Sequence, residues 1–432
     1  MASGIFNQSP SLADHLDSIE TLQRRTGSNG VMSFVEDHWT PELEIRLREV
    51  ALQAGFELCG VATVGNDAES LHGERFEEWV DAGRAGEMEY LKRRNEAGVL
   101  LRSAVQIAMP WARSVVICAV NYNVGGPLSI EPADAGAGWI GRYAWSGKAK
   151  VGLSGKSLRE DSSFNGIAMG LAPTDYHEEL LQRLRKVEAA LLARVHCETR
   201  CYVDTGPLVE RSVAARAGIG WIGKNTCVLN QQLGSWLLLA AVVTSLPVGE
   251  GAALTQAADR CGSCTRCIDA CPTGALVGER EMDAARCIAY LTIEKKGAIP
   301  EELREGMGRQ VFGCDICQDV CPWNGKASGR SPIAMRQGSA ARAELINPAL
   351  DWLAEMDAAA FKQWFAGSPL ERTKRKRLHR NVAIAMGNSR ERRFLEQLNT
   401  WRQGDDPVLA EAADWAVNRI EASPRDETGS TC

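Results

Sequence analysis

No stretch of the chain is apolar for long enough to cross a bilayer, which takes roughly 20 consecutive residues. The longest apolar run, residues 236–243, reads as a buried strand. Histidine is scarce, with six residues, and none falls in H-E-x-x-H or another ligand spacing, so no histidine metal site is read. Positive charge is not in excess. The net charge is −6, so a nucleic-acid partner must be held by a local basic patch rather than by the whole surface. Arg24-Arg25 supplies a twin-arginine pair, but Thr26-Gly27-Ser28-Asn29-Gly30 follows where an export signal needs an apolar segment. Neither nucleotide fingerprint is complete. Gly218-Ile219-Gly220-Trp221-Ile222-Gly223 matches G-x-G-x-x-G, yet a helical pattern over 210–217 precedes it where a strand is required. Gly223-Lys224-Asn225 nearly finishes a P-loop, but Asn225 stands where Ser or Thr must hold magnesium. These glycines are read instead as letting backbone approach a large flat ligand or a neighbouring cluster.

Cysteine is what the chain has in quantity, 14 residues in all. Cys261, Cys264, Cys267 and Cys271 followed by Pro272 make a C-x2-C-x2-C-x3-C-P run, and Cys314, Cys317 and Cys321 followed by Pro322 repeat its second half. This is the ligand pattern of a ferredoxin with two cubane clusters, in which the fourth cysteine of each run reaches across to the other cluster. Val311 occupies the leading position of the second run, and Cys287, otherwise unpaired, substitutes for it. One [4Fe-4S] cluster is therefore expected on Cys261, Cys264, Cys267 and Cys321, the other on Cys271, Cys287, Cys314 and Cys317. Structural zinc also uses C-x2-C, although it has no need of the x3-C-P ending. Thiolate ligands in this number suit a reducing cytoplasm. Cys59, Cys118, Cys197, Cys201, Cys227 and Cys432 remain, and are read as small buried hydrophobes or inert thiols.

At 432 residues, 45% hydrophobic and 24% charged, the chain has the composition of a globular protein with two or three domains. Residues 1–38 show no sustained period and are expected to form a disordered extension. Thr40-Pro41 then starts a helix carrying Leu43, Leu47, Val50, Ala51 and Ala54, closed by Gly55. Residues 59–64 and 115–120 read as strands. Asp175 with Glu178 opens a second helix through Leu180, Leu184, Val187, Leu191 and Val195. A short strand over 201–203 ends at Asp204. Together these predict an α+β domain over 39–250, interrupted by a Gly/Ser/Lys-rich mobile loop at 146–174. The cysteine-bearing domain covers 251–330. Residues 331–425 turn helical and resemble the paired helices of a short α-solenoid, although no clean repeat period is visible.

Three features outside the cysteines carry candidate chemistry. Asp204-Thr205-Gly206-Pro207 sits at a strand exit, where active-site groups commonly project, but local sequence favours a plain turn in which Asp accepts backbone N–H bonds. Arg372, Lys374, Arg375, Lys376, Arg377 and Arg380 form a basic run with no acid after Glu371. Such a run is a solvated face or, in an acidic protein, a set of phosphate contacts. His177, in Asp175-Tyr176-His177, reads locally as a helix N-terminal residue.

Taken in order, these pieces resemble the epoxyqueuosine reductase family. The matching segments are Arg142-Tyr143-Ala144-Trp145, Asp175-Tyr176-His177, Val203-Asp204-Thr205-Gly206-Pro207, the run from Ala217 through Gly223-Lys224-Asn225-Thr226, the eight cysteines, and Arg380-Asn381. The resemblance implies a nitroreductase-like cobalamin-binding domain, a ferredoxin-like two-cluster domain, and a C-terminal α-helical HEAT-like domain that grips tRNA. It implies a monomer served by an external electron donor, with clusters feeding Co(I) cobalamin to reduce epoxyqueuosine to queuosine at the tRNA wobble position. It makes Asp204 the proton donor, and burial beside a corrin is expected to raise its pKa. It places cofactor contacts at Arg142, Tyr143, His177, Asp204, Lys224, Asn225, Thr226, Ser235 and Asp315. RNA contacts fall at Ser368, Arg372, Lys374, Arg375, Lys376, Arg377, Arg380 and Asn381. Two departures stand out: the insertion at 146–174, and Lys374 where the family tends to have Gly. Cobalamin-dependent reductive dehalogenases and simple iron–sulfur electron carriers are the rival classes. The first lacks its export signal here, and the second leaves Asp204 and the glycine-rich segment without a task.

Overall fold

The structure is a computed structural model that describes residues 38–148, 167–248, 257–326 and 339–422. The extension expected at 1–38 lies outside these residues except for its last position, as does the middle of the 146–174 insertion. All described residues belong to one compact unit. Its first helix, Pro41–Ala54, begins where the sequence signals it. The Thr40 hydroxyl accepts from the Leu43 N–H at 3.2 Å, Pro41 takes the first turn, and Gly55 ends the helix at φ 95°. Helix Tyr176–Leu192 starts the same way, with the Asp175 carboxylate accepting from the His177 N–H at 2.9 Å. Each buries one stripe, Leu43, Leu47 and Ala51 on the first and Leu180, Leu184, Val187 and Leu191 on the second.

These helices pack on each other and on an antiparallel sheet ordered Leu58–Thr63, Ser114–Asn121, Leu237–Thr244, Thr199–Tyr202. Every residue of Ser114–Asn121 is buried, as a central strand covered on both faces must be. Val115, Ile117 and Ala119 share a core with Val213 and Ala214 of the helix Glu210–Arg216. The alternate residues Val116, Cys118 and Val120 therefore face the other layer. This sheet positions the site, because Asp204 lies just beyond the end of the strand Thr199–Tyr202.

The 146–174 segment differs from the expected loop. Its ends form strands Ser146–Lys148, Ile167–Ala168 and Ala172–Pro173, which join Ser339–Arg342 in a four-stranded sheet. Strands this short carry no period, and their partner lies nearly two hundred residues away, so local pattern could not show them. A second long-range pair sets Trp139–Ile140 parallel to Gln310–Phe312. One hydrophobic core accordingly draws Trp139 and Trp145, Leu291 and Phe312, and Phe365, Val382 and Ala416 from all three expected sections of chain. In its helical part Lys374–Ser389 packs on Pro407–Glu421 so closely that a Cβ at Gly387 would lie 2.8 Å from the Ala416 Cα. Among the described residues no helix is long and apolar enough to cross a membrane.

Candidate active site and cluster centre

Cys261, Cys264, Cys267 and Cys321 line one hollow of about 230 Å³, together with Lys224, Asn225 and Trp323. The short helices Arg266–Asp269 and Ile316–Asp319 follow the two C-x2-C turns and bring the distant runs together. Burial pushes the Cys267 thiol up to about 11, and the Cys321 and Cys261 sulfurs add to the shift. The Trp221 indole donates to Cys261 Sγ at 3.4 Å. Cys271, Cys287, Cys314 and Cys317 gather in a second group, where Cys314 is raised by burial and by the nearby Cys287 and Cys271 sulfurs. Among the described residues no three potential ligands close around a single ion. Four thiols spaced about a hollow suit a cubane better than a zinc ion, whose sulfur ligands stand only about 2.3 Å from the metal.

Cys227, read from sequence as inert, packs against this second group. A hydrogen bond with Cys317 draws its pKa down despite burial. Asn225 fixes the arrangement, donating to the Cys317 carbonyl at 3.3 Å while its own oxygen accepts from the Cys227 N–H at 3.2 Å. The next contact leads outward: Arg211 donates to the Thr226 carbonyl at 2.9 Å and hydroxyl at 3.0 Å. The charge of Arg211 in turn reaches Asp204. A short chain of contacts thus runs from the second cysteine group to Arg211, whose charge acts on Asp204 through space. Two glycines of this segment have protein rather than open space beside them. A Cβ at Gly220 would collide with the Leu229 carbonyl, and one at Gly223 with the Leu229 side chain. They make room for the hairpin of Trp221–Ile222 and Val228–Leu229.

Asp204 adopts φ 58°, a left-handed conformation uncommon for a residue with a Cβ, as does Thr226 at φ 65°. Its side chain keeps 53% of its surface within a cleft. There Oδ2 lies 3.5 Å from His177 Nε2 and accepts from the Tyr176 hydroxyl at 3.4 Å. His177 Nδ1 meets Asp175 at 2.6 Å, so the imidazole bridges two carboxylates. Burial alone would lower the His177 pKa, but its bonds to Asp175 and Asp204 raise it to about 9. Burial pushes Asp204 up, yet His177, Arg372 and Arg211 outweigh it and the net direction is down. Without a corrin beside it, Asp204 thus favours its charged form and His177 its protonated one. Glu210, whose carboxylate accepts the Asp204 N–H at 2.9 Å, is pushed up to about 7 by burial and then by Asp204.

The expected cofactor residues divide between these two places. Tyr143, packed against Tyr176 and Phe312, joins His177 and Asp204 in the cleft. Lys224 and Asn225 line the first hollow, and the Lys224 ammonium pairs with Glu279 at 2.6 Å. Asp315 and Ser235 are internal supports. Buried Asp315 accepts from the Trp139 indole and the Arg142 N–H, and Ser235 donates to Gln318 at 2.9 Å. The Arg142 guanidinium lies between Trp145 and Trp236 and donates to the Val124 and Pro127 carbonyls. Among the described residues Arg142 Nε and Ser146 Oγ are nevertheless buried without a partner, and both residues border a hollow shared with Tyr143 and Tyr176. Unpaired polar atoms beside aromatic faces fit a large amphipathic cofactor lying over this cleft.

The basic run also divides. Ser368, Arg380 and Asn381 are buried. Arg380 donates to the Leu291, Lys295 and Gly297 carbonyls, Asn381 to those of Thr292 and Val311, and Ser368 to that of Phe365. Arg377 donates to the Thr373, Ile293 and Glu294 carbonyls. Arg377, Arg380 and Asn381 thus hold the helix Lys374–Ser389 to Ile288–Ile293 and the residues just after it, and their donors, like that of Ser368, are spent on backbone carbonyls rather than offered on an RNA face as expected. Arg372, Lys374, Arg375 and Lys376 retain exposed surface. Lys374 adopts φ 61° and ψ 152°, a region open to glycine and costly for other residues. Lys374→Gly is therefore expected to stabilise the fold by about 1 kcal/mol after the entropy of glycine is set against the relieved strain. A denaturant midpoint that fails to rise would contradict it.

Residues 260–324 match the family described as a 4Fe-4S double cluster binding domain. An epoxyqueuosine reductase of Xanthomonas campestris is 33% identical over 376 residues, covering 86% of this chain and 94% of that protein. A crystal structure of epoxyqueuosine reductase with an epoxyqueuosine-modified tRNA-Tyr stem loop aligns with a TM-score of 0.70 at 30% identity, over 88% of this chain and 90% of the other. The Bacillus subtilis enzyme, with its catalytic aspartate loop swung out of the active site, aligns over the same shares with a TM-score of 0.68 at 28% identity.

Proposed function

The chain belongs to the epoxyqueuosine reductase family of oxidoreductases, and on that premise we propose that it reduces epoxyqueuosine to queuosine in the anticodon loop of tRNA. Two electrons and two protons enter, both C–O bonds of the epoxide break, a C=C bond forms, and water leaves. The contacts from Cys317 through Asn225 and Thr226 to Arg211, whose charge acts on Asp204, carry this reading, because they set an electron store near an acid. Two [4Fe-4S] clusters on the eight cysteines would store and pass single electrons from an external donor. Cobalamin, held over Tyr143, Tyr176, Ser146 and Arg142, would supply a reduced cobalt nucleophile.

The protein's own groups manage the protons. Asp204 Oδ2 faces the departing oxygen and delivers to it a proton drawn from His177 Nε2, while Asp175 holds the imidazole in place. A carboxylate loop that swings out in the Bacillus subtilis enzyme parallels the Asp204 turn, whose strained backbone and half-exposed side chain suit such movement. On the same premise residues 39–250 form the nitroreductase-like cobalamin domain, 251–330 the ferredoxin-like domain and 331–425 a HEAT-like tRNA grip. The enzyme acts as a cytoplasmic monomer.

Anaerobic reduction of epoxyqueuosine-containing tRNA, with and without added cobalamin, tests the proposal. Queuosine is expected only when both iron and cobalamin are bound, and no conversion by the fully loaded enzyme would overturn it. The rate should also fall as pH rises through about 9, where His177 loses its proton. Stability follows the same direction. The raised folded-state pKa stabilises the protein below the ordinary histidine value of about 6.5, and that contribution disappears as pH rises through about 9. In His177→Gln the alkaline limb of the rate profile should vanish; if it persists unshifted, another group supplies the proton.

A further inference from the structure

Asp204 is the centre of a three-residue turn. The Thr205 N–H donates back to the Val203 carbonyl at 2.7 Å, and with φ 58° at Asp204 this is the strained, positive-φ form of the γ-turn. The turn presents the Asp204 carboxylate to His177 and Tyr176. Beyond it the chain folds back tightly, since a Cβ at Gly206 would collide with the Leu208 and Tyr202 side chains. The Asp204 N–H takes no part in the turn's own hydrogen bond, and it finds its acceptor six residues on, in the Glu210 carboxylate at 2.9 Å. Glu210 projects from a firm element. It opens the helix Glu210–Arg216, in which Ser212, Val213, Ala214, Ala215 and Arg216 are all buried, and Arg216 donates to the Thr63 carbonyl at the opposite edge of the sheet from Thr199–Tyr202. The next residue acts in the same way on another loop: Arg211 donates to the carbonyl and hydroxyl of Thr226, whose φ is 65°. Two adjacent side chains at one helix start thus each hold a left-handed residue. The helix dipole favours an acid at this position, but it does not require the bond to Asp204.

We infer that Glu210 is a positioning residue: its carboxylate fastens the Asp204 turn to the helix Glu210–Arg216 and so keeps the Asp204 side chain in the cleft against His177. The inference rests on the proposed role of Asp204 in proton delivery. Without the bond, the strain stored in the turn favours its release, and the carboxylate leaves its place 3.5 Å from His177 Nε2. One hydrogen bond to a charged acceptor shifts the balance between held and released turn by about 10- to 100-fold. The two partners divide the work. The half-exposed Asp204 side chain is free to move with its turn, whereas Glu210 is fixed by a helix packed on the sheet.

The test compares Glu210→Gln with Glu210→Ala in the iron-loaded enzyme. Both remove the charge and only alanine removes the acceptor, so the difference between them reads the hydrogen bond alone. Glu210→Ala should turn over about tenfold more slowly than Glu210→Gln, with iron content and stem-loop affinity equal in the two. The His177 titration, followed by NMR, locates Asp204. In Glu210→Gln it should stay near the wild-type value of about 9, and in Glu210→Ala it should fall towards that of Asp204→Asn, because the imidazole has lost its neighbour. Hydrogen exchange at the Asp204 N–H should be faster in the alanine variant than in the glutamine one. Equal titrations in the two variants would overturn the inference, whatever their turnover, because Asp204 has then not moved. If Glu210→Ala fails to fold, wild type decides: an Asp204 N–H that exchanges as fast as an open chain has no acceptor, and the inference falls. A wild-type enzyme that converts no epoxyqueuosine-containing tRNA would instead count against the proposed function, while the titrations and the exchange would still judge the hold on Asp204.

Discussion

Asp204→Asn is expected to keep both clusters and the fold while losing turnover by about 10²–10⁴-fold, the usual contribution of a positioned acid. Asparagine matches aspartate in shape and tolerates the left-handed φ of 58°, so the exchange isolates charge from backbone strain. Its second consequence is electrostatic. With one of two carboxylates gone, the His177 pKa should fall from about 9 towards its ordinary value while Asp175 still holds it up. Iron content, single-turnover conversion and the imidazole titration by NMR read the three effects separately. Wild-type turnover would remove Asp204 from the proton path. Lost turnover with an unmoved His177 titration would break the link between the two residues.

The second large effect is compositional. Cys287→Ala should lose about half of the cubane iron, one cluster of two, and with it multiple-turnover activity. Cys287 is half-buried at the entry to the helix Ile288–Ile293, with Cys271 and Cys227 near enough to raise its pKa along with burial. Cys227 therefore offers a substitute thiol beside the same group. The double variant Cys227→Ala/Cys287→Ala closes that route, and iron content equal to wild type in the double variant would exclude Cys287 as a ligand. Cys227→Ala alone should retain all its iron, because the other eight cysteines account for two complete ligand sets.

The double-cluster domain was legible because its two C-x2-C-x3-C-P runs are local patterns, although thiols from both runs meet only after the runs fold together. The capped helices at Thr40 and Asp175 and the strand that ends before Asp204 were legible for the same reason. Where the sequence misled, distant residues decided. Arg380 and Asn381 belong to an evident basic run, yet their donors meet carbonyls about ninety residues earlier, and no local pattern announces that. Glu210 left a trace, an acid opening the helix just after the DTGP turn, but its bond to the Asp204 N–H needs the folded loop.

By itself, the order of residues determined the ligand chemistry, the principal helices and the aspartate at the strand exit, because spacing along one chain governs each of them. Tertiary structure alone decided which charges surround that aspartate, the pairing of the insertion's ends and which side chains of the basic run stay exposed. Those depend on which charges and backbone groups become neighbours once remote segments pack together, and a proton's position follows that neighbourhood rather than the residue's own identity.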